Sequence, residues 1–163
     1  MKNHGILMRP VVDRQAARAC AAMMLTTTPW TTFGLSEEYC LGMLTDPNRK
    51  TYADHDDSGV CGFVTLDLRG PLNGYINLLC VREDCRGQGV GAALIAWAEE
   101  QIFAQSPNAF ICASSSNSGA RRLYERLGYR FVGVLKDYVA AGHDEVLLRK
   151  TRGTWKAFRE SKK

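Results

Sequence analysis

Six residues, Arg86-Gly87-Gln88-Gly89-Val90-Gly91, constrain this chain more than any others. Before them, Tyr75 to Val81 is a short, mostly apolar run bounded by turn residues, the pattern of a strand buried on at least one face. After them, Ala92, Leu94, Ile95, Ala98 and Ile102 recur near helical spacing. A buried strand therefore runs through a glycine-rich turn into a helix. The glycines leave main-chain N–H groups uncovered, and the helix dipole adds roughly half a positive charge at its first turn. Such a turn suits a phosphate or pyrophosphate, or else it only lets strand and helix pack closely. Dinucleotide binding fits Gly87-x-Gly89-x-x-Ala92 in spacing but not in context. The ribose-binding acid expected about twenty residues on is missing from Ala109-Phe110-Ile111-Cys112-Ala113. No Gly-Lys-Ser/Thr follows, so a nucleotide P-loop fails as well.

A chain of 163 residues, 45% hydrophobic and 23% charged, is most simply one domain with a real core. No apolar run approaches the length of a membrane span, and the first residues lead into no signal-peptide core, so a cytoplasmic protein with no membrane partner is expected. Six cysteines (Cys20, Cys40, Cys61, Cys80, Cys85, Cys112) lie mostly in apolar runs without Cys-x-x-Cys spacing, which reads as buried reduced thiols and no metal. The net charge of +4 belongs to the end of the chain. From Arg149 onward there are seven Lys or Arg and one acid, leaving fourteen basic and sixteen acidic groups before it. Residues 1–150 thus read as the domain and 151–163 as a basic tail. The tail reads as a terminal helix docking Trp155 and Phe158, and no nucleic-acid partner is expected.

Taken in order, the pattern predicts a strand at Ile6 to Arg9, then a helix capped by Asp13 and running to about Leu25. A break follows at Thr26 to Thr32, then a second helix capped by Ser36. Strands at Lys50 to His55 and Val60 to Leu68 flank a tight turn, and Arg69 to Gly74 delivers the chain to Tyr75. After the glycine turn come a helix from Val90, a strand from Phe110 to Ala113, and a helix capped by Asn117 or Ser118 and stopped by Gly128. Strands at Tyr129 to Asp137 and Asp144 to Arg149 close the series. The order β-α-α-β-β-β-α-β-α-β-β specifies an α/β chain with a mixed, mostly antiparallel sheet and helices on both faces.

With that order, the chain resembles the GCN5-related N-acetyltransferase (GNAT) superfamily over nearly its whole length. Arg86-x-x-Gly89-x-Gly91 is similar to the family's pyrophosphate signature, Arg/Gln-x-x-Gly-x-Gly/Ala. Asn117-x-x-Ala120-x-x-x-Tyr124-x-x-x-Gly128-Tyr129 is similar to its second motif, commonly written with Phe last. The resemblance implies transfer of an acetyl group from acetyl-coenzyme A to an amine on a peptide, protein or small molecule, directly in a ternary complex. It implies that main-chain N–H groups of Gln88, Gly89, Val90 and Gly91 cradle the pyrophosphate, with Gly87 part of the same cofactor-binding turn and Arg86 adding charge or closing it. Leu79, Cys80 and Val81 would bond the pantetheine arm and polarise the thioester carbonyl. Asn117 and Ala120 would sit on the cofactor side, and Tyr124 would stand beside the sulfur as general acid. Acceptor recognition would fall to the stretch holding Trp30 and Phe33 and to the connection holding Tyr138.

One part of the family pattern is missing. Relatives often carry a Glu on the fourth or fifth strand as general base, where this chain has Tyr75 and Cys112. Ordered water or Glu83, Asp84, Asp137, His143, Asp144 or Glu145 remain as sources of that function. The missing carboxylate keeps a second reading open, a coenzyme A binding module without catalysis. A homodimer through the terminal strand and Trp155 is a further expectation drawn from relatives.

Overall fold

The computed structural model describes residues 6–163. Seven strands and five α-helices follow the expected order: β1 (Met8–Pro10), α1 (Arg14–Thr26), α2 (Glu37–Leu44), β2 (Lys50–Asp56), β3 (Gly59–Asp67), β4 (Tyr75–Val81), α3 (Val90–Phe103), β5 (Asn108–Ser114), α4 (Ser118–Arg126), β6 (Arg130–Ala140), β7 (His143–Thr151) and α5 (Trp155–Glu160). The strands form one sheet in the order β1-β2-β3-β4-β5-β7-β6. β1 and β2, β2 and β3, β5 and β7, and β6 and β7 pair antiparallel, whereas β4 and β5 pair in parallel, with Tyr75 opposite Phe110 and Ile76 opposite Ile111. No helix among the described residues is long and apolar enough to cross a membrane.

Helix starts follow one local rule. Asp13, Ser36, Asn117 and Thr154 each accept a hydrogen bond from the N–H three residues on, at 2.8–3.2 Å. A short polar side chain thereby satisfies one of the N–H groups a helix leaves without partners. The residue before α3 is Gly89, which has no side chain to do this.

The chain divides into two compact units, one built from the chain up to Asp67 with Asn77–Ala98, the other from Leu68–Ile76 with Glu99–Lys163. In the first, α1 and α2 bury Ala17, Cys20, Met24 and Leu41 against Ala53 and Phe63 of β2 and β3. Cys61, Cys85, Val90 and Leu94 make a separate small cluster. Each large side chain buried this way contributes roughly 1.5–3 kcal/mol. In the second unit, strand alternation buries Ile111 and Ala113 on β5 and Val146 and Leu148 on β7, all on one face.

Two expectations shift. Tyr138 lies inside β6, because that strand runs on to Ala140 and leaves only a two-residue turn before β7. Pairing is interrupted between Leu135 and Ala140 and resumes at the tip, where Ala140 sits opposite His143. In the tail, Trp155 and Phe158 pack edge-on against each other, 5.8 Å apart, with Arg159 and Lys162 over their rings. α5 has no buried residue, so these aromatics are not docked into a core.

Gly74 marks the tightest point of the second unit. A Cβ added there would fall 2.3 Å from the Asn108 carbonyl and 2.7 Å from Ile102, at a φ of +97° that side chains rarely adopt. Gly74→Ala is therefore expected to destabilise the protein by about 3 kcal/mol in denaturant unfolding, whereas Gly59→Ala, whose Cβ meets nothing, costs less.

Candidate functional site

In the first unit, the segment from β4 into α3 is pinned before it is shaped. Arg82 donates to three oxygens at once: Asp84 Oδ1 at 2.6 Å, Asp56 Oδ2 at 2.8 Å and the Val60 carbonyl at 2.9 Å. Its own N–H donates to the Cys61 carbonyl at 2.8 Å. The Cys61 thiol also donates to Asp56, and the Cys61 and Cys85 sulfurs lie 3.3 Å apart. The Cys61 bond, the Ser58 N–H and Arg82 hold the Asp56 carboxyl down to about 2. Asp56, Cys61 and Cys85 bring a carboxylate and two thiols within 4.8 Å, the one such cluster among the described residues, with the carboxylate engaged by Arg82. Sequence reading missed this bracket because its members are up to 29 residues apart.

Beyond the bracket, the chain reverses through Gly87 (φ +71°) and Gly89 (φ +90°), both left-handed. Only glycine adopts these angles cheaply. A Cβ at either position would meet nothing within 4 Å, so the turn borders open space. Gly91, by contrast, is already inside α3. Arg86 Nε donates to the Val81 carbonyl at 3.1 Å and Gln88 Nε2 to the Asp84 carbonyl at 2.7 Å, so both side chains close the turn. The first helical bond runs from Ala93 N–H to the Gly89 carbonyl. The N–H groups before it lack helical acceptors, and a positive dipole end sits at uncovered backbone. This fits the pyrophosphate of a coenzyme. On β4, Cys80 is buried while Leu79 and Val81 are half-buried. Trp30 and Phe33 form a short 3-10 turn, and Trp30 packs against the α1–α2 core.

In the second unit, β4, β5, β6, β7 and α4 gather ionisable groups. Cys112 lies opposite Leu147, and Ser114 opposite Glu145. With Tyr75 opposite Phe110, side-chain alternation puts Tyr75, Cys112 and Glu145 on one sheet face. The Tyr75 hydroxyl and the Cys112 thiol are close neighbours on that face. Burial, then the neighbouring Cys112, Tyr138 and Glu145, push the Tyr75 phenol far above its ordinary range. Tyr124 of α4 is 6% exposed, and burial followed by the proximity of Glu145 and Cys112 likewise raises its phenol. Asn117 spends its carbonyl oxygen on the Ala120 N–H as the cap of α4. Tyr129, in place of the Phe common in relatives, lies near Glu99 with its hydroxyl unpartnered among the described residues, while Glu99 Oε2 accepts from Lys150 at 2.6 Å.

The six ionisable residues left open by the sequence are now distinguishable. Asp84 is bound to Arg82. Asp137 accepts from the Gly142 N–H at 2.6 Å, and Asp144 accepts from Lys136 at 2.6 Å and from the Asp137 N–H. Glu83 is exposed, and His143 opens β7. Glu145 is 7% exposed, and its carboxyl has neither hydrogen bond nor ion pair among the described residues. Burial alone raises it to about 7. Neither its oxygens nor the Tyr124 hydroxyl belongs to the sealed, unpartnered polar atoms, so both stay accessible.

The sequence model of the acetyltransferase (GNAT) family matches residues 7–129. The chain belongs to that family. It is 38% identical over 103 residues to an uncharacterised N-acetyltransferase of Methanocaldococcus jannaschii, a match covering 62% of this chain and 65% of that protein, slightly under two thirds of its length. Among solved structures, an aminoglycoside 6'-N-acetyltransferase complexed with coenzyme A superposes with a TM-score of 0.71 at 18% identity, covering 89% of this chain and 96% of that one. NAA60 of Arabidopsis thaliana in complex with a bisubstrate analogue gives 0.70 at 19% identity, covering 92% and 100%. At these identities the superpositions establish the GNAT fold.

The Glu145 carboxyl titrates near 7 in the native state against 4.5 ordinarily, so the native state binds the extra proton between those values. Its contribution to stability is present below about pH 4.5 and lost as pH rises through 7. Glu145→Gln is expected to flatten this fall and to melt higher than the wild type at pH 8, with little difference near pH 4.5, in thermal scans across pH.

Proposed function

We propose that this GNAT protein transfers an acetyl group from acetyl-coenzyme A to a primary amine, directly in a ternary complex. The observation that carries the reading is the left-handed, uncovered Gly87–Gly89 turn at the start of α3, in a chain whose family model spans it. Bound there, acetyl-coenzyme A supplies the thioester carbon to which the amine nitrogen bonds as the C–S bond breaks. Main-chain N–H groups of Gln88 to Gly91 hold the pyrophosphate, with Arg86 and Gln88 fixing the turn. Leu79, Cys80 and Val81 offer main chain to the pantetheine arm. The Asn117 side-chain amide, its oxygen already used as a cap, keeps its N–H donors for the cofactor, next to Ala120.

Tyr124 is the proton donor to the departing sulfur. Its hydroxyl has no protein partner among the described residues and remains accessible. A phenol held neutral by burial carries its proton at every working pH. Direct transfer is favoured over an acetyl-cysteine route because burial raises the Cys112 thiol above its ordinary range, keeping the nucleophilic thiolate scarce. Trp30, Phe33 and the exposed Tyr138 are assigned to the acceptor; they suit a peptide terminus, a lysine or an apolar amine.

Two variants separate binding from chemistry. Gly89→Ala, which strains the turn without a clash, is expected to weaken coenzyme A binding by about tenfold in calorimetry. Unchanged affinity would move the pyrophosphate elsewhere. Tyr124→Phe is expected to bind coenzyme A normally and to lose about 100-fold in thiol release with an amine acceptor. Wild-type protein that binds coenzyme A but releases no thiol across peptides, spermidine, amino acids and aminoglycosides would make this a binding module instead.

A further inference from the structure

We infer that Glu145, on β7, is the general base that takes the proton from the attacking amine, in place of the carboxylate missing from β4 and β5. The inference rests on the acetyltransferase reading above and adds a residue to it.

Placement is the first support. Glu145 shares a sheet face with Tyr75 and Cys112, diagonal to Cys112 across the Cys112–Leu147 and Ser114–Glu145 pairs. The two strand positions that lack an acid therefore border the acid that β7 supplies. α4 brings Tyr124 to the same cluster, close enough for its phenol to feel the carboxyl charge. Proton donor and proton acceptor thus lie in one group of side chains.

Selection is the second support. The titratable groups near Glu145 are Tyr75 from β4, Cys112 from β5 and Tyr124 from α4, while Ser114, opposite it on β5, bonds its hydroxyl to Ser116. All three have raised proton affinities and are neutral near pH 7. β6 offers Leu135 opposite it. The cation of that hairpin, Lys136, is spent on Asp144. A buried carboxyl without a cation, hydrogen bond or cap contributes nothing evident to folding and costs stability when ionised. Such a group, half ionised near neutrality and open at its oxygens, is suited to accept and release protons.

The proton balance follows. The ammonium gives one proton to a Glu145 oxygen, freeing the nitrogen lone pair for the C–N bond. Tyr124 gives its proton to the sulfur as the C–S bond breaks. The second proton on nitrogen restores the phenol, and Glu145 returns the first to solvent, so one proton leaves per acetyl group.

The test uses the full chain and two readouts. First, protein labelled with carbon-13 at glutamate side-chain carboxyls is titrated by NMR, alone and as Glu145→Gln. The resonance missing from the variant is expected to titrate near 7; an ordinary carboxylate midpoint overturns the inference. Second, thiol release is followed against pH with whichever of a free N-terminal peptide, spermidine or an aminoglycoside the wild type acetylates fastest. Gln is isosteric with the neutral carboxyl, so Glu145→Gln is expected to fold and to keep its KM for acetyl-coenzyme A. Its kcat is expected to fall about 100-fold, and the acid limb of kcat/KM near pH 7 to vanish. Glu145→Asp should recover part of the rate and keep a limb. A limb that persists in Glu145→Gln, or an unchanged kcat, removes Glu145 while leaving the acetyltransferase reading intact. Wild-type protein that binds coenzyme A yet acetylates none of the three removes both.

Discussion

Strand pairing, through its strict alternation of side chains, is the constraint on which the rest depends. Once main-chain bonds fix Ser114 opposite Glu145 and Tyr75 opposite Phe110, every second residue is committed to one face. Ile111, Ala113, Val146 and Leu148 go to the buried face, and the hydrophobic gain there holds the register. Tyr75, Cys112 and Glu145 are carried to the other face together. A one-residue slip would bury Glu145 among aliphatic side chains, so the packing that stabilises the sheet also gathers the polar cluster.

Burial raises every carboxyl of this chain it touches, and the net shift takes its sign from what else meets the group. Asp56 and Asp144 are held below their ordinary values because a thiol, main-chain N–H groups or a cation supports the charged form. Among the described residues Glu145 meets no such donor, and loss of water alone moves it upward. The difference lies in neighbours, since Asp144 and Glu145 are adjacent in sequence. Asp144 faces Lys136 and the Asp137 N–H, whereas Glu145, on the opposite side of the same strand, faces phenols and a thiol. Adjacent carboxyls thus have separate duties, one closing a hairpin and the other titrating near neutrality.

The glycine turn shows a comparable division. Its two left-handed residues shape the backbone, but the bracket of Arg82, Asp56, Asp84 and Val60 decides where that backbone begins. Arg86 and Gln88 then return to carbonyls that precede the turn, Val81 and Asp84, and a Cβ at Gly87 or Gly89 would meet open space. Helix α3 starts without the cap that four other helices have. Elsewhere a short polar residue satisfies one of the first N–H groups; here Gly89 has no side chain to do so.

Much of this was legible in the chain itself. Element order followed from hydrophobic period, and helix starts from Asp13, Ser36 and Asn117, because capping is a contact three residues long. The turn from Arg86 to Gly91 and the run from Asn117 to Tyr129 sufficed to identify the family, because each motif is read within one strand-to-helix junction. Boundaries of β6 were not legible: Tyr138 reads as loop, and only pairing with β7 extends the strand past it. Nor did the sequence show that Trp30 packs against the core formed by α1 and α2. The bracket at Arg82 and the cluster at Glu145 belong wholly to the tertiary level. Local sequence determined which backbone geometries are cheap and hence where strands, helices and the glycine turn lie. Only the folded sheet decided which acid loses its water without gaining a partner, because desolvation and pairing depend on residues up to about seventy positions apart, from Tyr75 to Glu145.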